Sequence, residues 1–169
     1  MYKSIVVTVG GHWSSGNSLS IQFKAIADEL VSRGYRVIIL VPGTRDLNDE
    51  EFENLIVNYW PSKRPTKIVD ALFLTKIIMK HKPVSIIGNF AAVNWTVLLG
   101  FLMGVKHRIV WYHTLIDAIN TDTTNNNIYL KVLRLRKNII YSLSTNIVAA
   151  VNFLQKMIYR NHIIFEKIK

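Results

Sequence analysis

Three groups of residues have the types and spacing to do chemistry. The first is the glycine-rich stretch "GGHWSSGNS", residues 10–18, which follows an apolar β-rich run. Counted from Gly11 it reads Gly, four residues, Gly16, Asn17, Ser18, which would be a nucleotide-triphosphate loop if Asn17 were lysine. Without that cation the stretch is no Walker loop. What remains is either a cradle of backbone N–H groups for an anion, built on Gly10, Gly11 and Gly16, or a glycine turn that only reverses the chain. Asn17 or Ser18 can cap the helix that follows, and His12 faces either a substrate or solvent.

The second group lies at the ends of later strands. His113 closes "HRIVWYH", where an imidazole can bind a hydroxyl or phosphate, move a proton, or simply bond a backbone carbonyl. Asn89 leaves "PVSIIGN" in the corresponding place and reads as a ligand-facing amide or as a turn former. The third group is basic. Lys131, Arg134, Arg136 and Lys137 share one helical stretch, and residues 123–165 contain no acid. Such a helix suits phosphates or anionic lipid headgroups, or is the solvated face of an ordinary amphipathic helix.

Several chemistries are excluded. With no cysteine there are no disulfides, thiolate metal sites or Cys nucleophiles. The five histidines form no metal-ligand spacing, so no metal site is expected. G-x-S-x-G is absent, and so is G-x-G-x-x-G. The second strand ends in Pro42-Gly43 rather than in the acid that would hold a ribose, which disfavours a nicotinamide cofactor. A formal charge of +10 calls for an anionic partner. Nucleic acid is disfavoured, because no recognised module appears and the basic residues are not interleaved with stacking aromatics.

The elements that must position these groups follow from periodicity. "SIVVTV" is a strand covered on both faces. Leu19, Phe23, Ile26, Ala27, Leu30 and Val31 then recur at helical spacing up to Gly34, and "YRVIILV" returns to strand. Residues 44–53 carry five of the eleven acids and read as a solvated loop or short helix. "LIVNYW" is the third strand. The next helix spans about Thr66 to His81, with Ile68, Leu72, Ile77 and Ile78 inward and Lys76 and Lys80 outward. "PVSIIGN" is the fourth strand and "HRIVWYH" the fifth. Between them "AAVNWTVLLGFLMGV" is a buried helix, too short for the roughly 18–20 residues of a bilayer span. Residues 114–127 form a polar stretch that includes Thr114 and Asp117. After it come the basic helix, the strand "NIVAAV", a short helix "NFLQKMIY" and the beginning of another strand. The alternation of strand and helix over 169 residues predicts a single α/β domain, a doubly wound parallel sheet with helices on both faces.

Taken together, "VTVGGHWSSGNSLSIQFKAIADELVSRGYRVIILVPG", "KIIMKHKPVSIIGN", "GVKHRIVWYHT" and "STNIVAAVNFLQKMI" resemble, in order and spacing, the N-terminal Rossmann-like domain of a GT-B glycosyltransferase of the retaining family-4 type. The likeness runs across essentially the whole chain. It implies an acceptor-side half that meets a C-terminal donor-binding domain across a cleft and transfers sugar from a nucleotide-sugar to a glycan or lipid-linked acceptor. That nucleotide-sugar is a donor substrate, not a cofactor, so no cofactor is expected. The resemblance further implies a cytoplasmic protein, peripheral at the inner face of the plasma membrane, where Lys131, Arg134 and Lys137 would meet an anionic surface. Gly10, Gly11, His12, Gly16 and Asn17 would line the cleft near the donor diphosphate. His113 would sit beside the transferring sugar, with Asn89, Thr114 and Asp117 on the acceptor side.

The chain departs from that pattern. The donor domain with its Glu-x7-Glu motif is missing, Asn152 stands where serine is usual, and Asn89 stands where histidine is common. The ending "FEKIK" reads as an excised domain or truncated gene product, inactive without the donor half. Two other readings stay open: a noncatalytic, membrane-docking or acceptor-binding subunit of a split transferase, and an unrelated α/β nucleotide-binding protein.

Overall fold

A computed structural model describes residues 3–10, 18–43, 54–112 and 127–149. The elements are β1 (Ser4–Thr8), α1 (Ser18–Ser32), β2 (Arg36–Val41), β3 (Leu55–Tyr59), α2 (Ile68–His81), β4 (Ser85–Asn89), α3 (Val93–Leu102), β5 (His107–Tyr112), α4 (Asn127–Ser142) and β6 (Asn146–Ala149). A 3₁₀ turn, Phe90–Ala92, leads from β4 straight into α3. The strands form one all-parallel sheet of six, in the order β3-β2-β1-β4-β5-β6. This is a Rossmann-like α/β domain, as the alternation of strands and helices predicts.

Strands of Val, Ile and Leu suit this sheet because its middle is covered on both faces, and every residue of β1 and β4 is buried. Alternate residues feed two cores. On one face Val7, Ile39, Val41 and Ile87 pack under Phe23 and Ala27 of α1. On the other, Val6, Ile38, Leu40 and Ile86 pack under Leu74, Ile77 and Ile78 of α2. A separate cluster of Val97, Val110 and Ile140 ties α3 and α4 to the same face. Phe23 is fully buried and meets Trp111 edge-on at 5.6 Å between ring centres. α1 ends as its sequence predicts, with Gly34 at φ +82° and the Tyr35 N–H closing on the Leu30 carbonyl.

The rotation of α2 differs from the expectation. Ile77 and Ile78 are inward, but Ile68 is 72% and Leu72 59% exposed. Asp70 explains the difference. Its buried carboxylate accepts from the backbone N–H of Ser62 (3.1 Å), the Ser62 hydroxyl (2.6 Å) and the backbone N–H of Lys67 (2.9 Å). A residue two positions away on a helix lies about 200° round the axis. Holding Asp70 inward therefore turns Ile68 and Leu72 outward and brings Ala71 and Leu74 onto the sheet. α3 also departs in part from the buried helix expected. Thr96, Val97 and Gly100 are buried, while Phe101 and Leu102 at its end are exposed. Among the described residues, no helix is long and apolar enough to cross a membrane.

His81, the last residue of α2, gives the fold a pH dependence. Partial burial, then the positive charges of Lys80 and Arg36, hold its imidazole below the ordinary value of 6.5. The unfolded chain therefore binds a proton here more readily than the folded one. Stability contributed by neutral His81 is complete above about pH 6.5 and declines as pH falls through the lowered folded value. A His81→Gln variant is expected to show a smaller drop in urea midpoint between neutral and mildly acid pH. An unchanged drop would remove His81 as its source.

Candidate functional site

The strand order reverses direction between β1 and β4. From β1 the chain winds outward to β2 and β3, and from β4 outward to β5 and β6. In an open parallel sheet such a point leaves a crevice outside the carboxyl ends of the two strands, where ligands bind. Here the chain leaves those two strands through Val9–Gly10 and Asn89–Phe90.

The end of β1 is fixed on three sides. The Val9 N–H donates to the Leu40 carbonyl at 2.8 Å, which prolongs the pairing with β2 past the last strand residue. The Val9 carbonyl accepts from the indole N–H of Trp60 at 3.1 Å. Trp60 is buried and braced edge-on by Phe73 of α2, so the residue just after β3 reaches across the sheet edge to hold β1. Finally, the Gly10 N–H donates to the Asn89 side-chain oxygen at 2.8 Å.

That last bond changes the expected role of Gly10. Its N–H is occupied by Asn89 and does not offer itself to a diphosphate. The glycine is required instead for close approach. A Cβ at position 10 would lie 2.6 Å from the Ala92 nitrogen, 2.7 Å from the Ala91 nitrogen and 2.8 Å from the Asn89 carbonyl oxygen. The 3₁₀ turn thus sits directly on the end of β1. A buried polar joint holds it there: one of the Thr8 and Thr96 hydroxyls donates to the other at 2.6 Å, and the one that accepts gives its own proton to a carbonyl, Ile87 for Thr8 (3.1 Å) or Ala92 for Thr96 (2.8 Å). The same turn carries strain, since Phe90 is at φ +46°, a region that costs a bulky residue about 1–3 kcal/mol. Strain of this kind collects at ligand sites.

Asn89 is the polar group of most interest. It is wholly buried, its oxygen is held by Gly10, and its side-chain N–H₂ has no hydrogen-bond partner among the described residues. A buried donor without an acceptor costs roughly 1–3 kcal/mol. Asn89 therefore does more than form a turn: through Gly10 it joins the two central strands.

Lys137 turns away from the anionic face expected for it. Its ammonium donates to the Tyr112 hydroxyl at 2.9 Å and lies over the rings of Tyr112 and Tyr141, at 4.8 and 5.4 Å from their centres. Tyr141 stays a neutral phenol, its acidity pushed far down by burial and by Tyr112. The cluster anchors α4 to the end of β5, the strand that leads to His113. Gly11, His12, Gly16, Asn17, His113, Thr114 and Asp117 lie outside the described residues, as do the side chains of Lys131 and Arg134. The described neighbours Gly10 and Tyr112 both end at the carboxyl edge of the sheet, with β4 between their strands. Among the described residues, no group of three or more His, Asp or Glu side chains could hold a metal ion.

No family model and no curated protein matches the chain. Among solved structures, it is similar to a UDP-glucose 4-epimerase from Thermotoga maritima, crystallised with UDP-glucose. The identity is 18%, over 65% of this chain and 38% of that one, with a TM-score of 0.44. The chain thus spans well under half the length of that enzyme.

Sequence reasoning missed Trp60, Phe90 and the Thr8–Thr96 joint. Only "NF" at the end of a β-rich run hinted at a special turn. The partner that makes Trp60 matter is 51 positions away.

Proposed function

We propose that the chain is the acceptor-side half of a nucleotide-sugar-dependent glycosyltransferase, with the crevice between β1 and β4 as the place where sugar donor and acceptor meet. The observation that carries this reading is Asn89, a fully buried amide at the switch point whose N–H₂ lacks a partner among the described residues. A sugar hydroxyl or phosphate oxygen supplies the acceptor that this donor lacks. The order of motifs along the chain, similar to that of the retaining family-4 enzymes, supports the choice of reaction class.

In this reading the residues take distinct parts. Asn89 positions an oxygen of the substrate, and Gly10 sets the wall of the crevice without giving up its own N–H. His113 follows Tyr112 in the sequence and acts beside the transferring sugar, with Thr114 and Asp117 toward the acceptor. Charge developing on the departing diphosphate needs donors and cations arranged around it. The Gly11–Asn17 turn contributes backbone N–H groups to that task and the donor-binding half contributes the rest.

The test uses Asn89→Asp, which keeps an oxygen for the Gly10 N–H and removes the amide donor. Binding of uridine and guanosine diphosphate sugars, and of a polyprenyl-phosphate-linked sugar, is followed by calorimetry at mildly alkaline pH. The variant is expected to bind at least one of them about tenfold more weakly, the equivalent of ~1.4 kcal/mol for one lost hydrogen bond. Its melting curve should still be that of a folded domain. Binding of none of these ligands, or equal binding by both proteins, would overturn the proposal. Tight binding of a bare nucleotide that added sugar does not change favours an unrelated α/β nucleotide-binding protein.

A further inference from the structure

The edge of the sheet away from the crevice, where the strands begin, is lined by cations. Read across the neighbouring strands, it carries Arg36 at the start of β2, Lys3 just before β1, Lys82 in the turn before β4 and Lys106 just before β5. Strand pairing sets them side by side. The Arg36 N–H donates to the Lys3 carbonyl at 3.0 Å, the Val84 N–H to the Ser4 carbonyl at 2.9 Å, and the His107 N–H to the Val84 carbonyl at 3.1 Å. With adjacent strands about 4.8 Å apart, the row is roughly 14 Å long. Lys3, Lys82 and Lys106 are exposed, and the exposed Lys80 and His107 add to the same edge.

Helix ends alone do not account for this row. The carbonyl ends of α1, α2 and α3 all point to this edge and favour cations, yet only α2 has basic residues in its last turn. Lys82, moreover, stands where glycine is easier. It follows α2 in the left-handed region, at φ 43° and ψ 58°, whereas Gly34 and Gly104 take the left-handed positions after α1 and α3. A side chain there is strained, so the fold carries a charge at a place where it costs something. Nor do the described acids cancel the row. Glu29 is paired with Arg33 at 2.6 Å and Asp70 is buried, which leaves Asp28. Among the described residues, Lys3, Lys80, Lys82 and Lys106 have no salt-bridge partner.

The kind of anion follows from which cations are free to meet it. The guanidinium of Arg33 is held by Glu29. That of Arg108 donates to the Leu143 and Val105 carbonyls at 2.7 and 2.6 Å and lies 5.6 Å from the centre of the Phe101 ring. Forked recognition of a phosphate by these arginines, and stacking of a base on Phe101, are thereby taken up. What remains is a line of ammonium groups on flexible stems, point charges that accept a run of carboxylates without fixed geometry. We infer that the amino edge of the sheet, through Lys3, Lys82 and Lys106, is a docking site for an acidic polypeptide segment in extended form, of which about four residues span the row. The site lies away from the β1–β4 crevice and does not depend on the chemistry assigned there.

The experiment is fluorescence anisotropy of a labelled oligoglutamate peptide titrated with the full chain, beside an oligothymidylate of equal charge. The peptide is expected to bind more tightly than the oligothymidylate, and less tightly as salt rises, since exposed charges are screened. Lys3→Gln with Lys82→Gln and Lys106→Gln should weaken it about tenfold. Lys63→Gln with Arg64→Gln and Lys67→Gln removes the same charge from exposed positions after β3, at the other edge, and should change binding less than about twofold. Lys82→Gly alone should raise the urea midpoint, because glycine accepts the left-handed φ, and still weaken the peptide roughly threefold. Absence of peptide binding, equal losses from the two triple variants, tighter binding of the oligothymidylate, or full binding by Lys82→Gly would each overturn the inference.

Discussion

Gly10→Ala is expected to cost about 3 kcal/mol or more, at the upper end of what overpacking does in a well-ordered interior. The new methyl carbon would fall 2.6–2.8 Å from three atoms, the Ala92 and Ala91 nitrogens and the Asn89 carbonyl oxygen, and all three belong to the backbone. A flexible side chain could swing aside, but these atoms cannot. The 3₁₀ turn that holds them is joined to β1 through Thr8 and Thr96 and continues into α3, so relief would need a shift of the helix from the sheet. The proper comparison is Gly34→Ala. There nothing lies within 4 Å of the added carbon and the cost is only that of a left-handed φ, roughly 1 kcal/mol. Urea denaturation of the two variants separates the effects. Equal midpoints would mean that the β1–β4 junction is looser than described. The functional corollary is that any Gly10 variant that does fold should have a distorted crevice, since Asn89 moves with the turn.

Asp70→Ala is expected to cost about 3 kcal/mol for a different reason. It removes the single acceptor shared by the Ser62 N–H, the Ser62 hydroxyl and the Lys67 N–H, where charge-assisted hydrogen bonds are the stronger kind. Asp70→Asn, which keeps one oxygen, should lose clearly less. Limited proteolysis gives a second readout, because residues 62–67 depend on this carboxylate for their anchorage and should be cut first in the Ala variant. If Asp70→Ala melts like the parent and resists cleavage equally, the carboxylate does not hold α2 in its rotation. The apolar stripe of Leu72 and Met79 would then need another cause.

The fold was legible because its strands are unusually plain. "SIVVTV", "VIILV" and "SIIGN" have no polar alternation and could only be strands covered on both faces, and the stretches between them repeat at helical spacing. The rotation of α2 was not legible, since two apolar stripes run along it. Ile68, Leu72 and Met79 make one; Ala71, Leu74 and Ile78 make the other. Hydrophobicity does not rank them. The choice falls to Asp70, whose partners lie in an irregular segment that periodicity cannot describe. Asn89 was legible as a residue at the right edge, but its bond to Gly10 spans 79 positions and depends on β1 lying beside β4. Lys137 misled for the opposite reason. A cation on a basic helix reads as outward, and only the placement of Tyr112 and Tyr141 draws it in.

The central position of β1 has a consequence for how the chain is made. On one side β1 pairs with β2, where Ile5 meets Val37, and on the other with β4, where Ile5 meets Ser85. As the polypeptide leaves the ribosome, the first pairing becomes available about fifty residues before the second, and a strand that the finished fold buries throughout waits with one bare flank. The β1-β2-β3 unit with α1 is thus a nascent half-sheet that must be shielded from its neighbours on the polysome until Ser85–Asn89 emerges and shuts the gap.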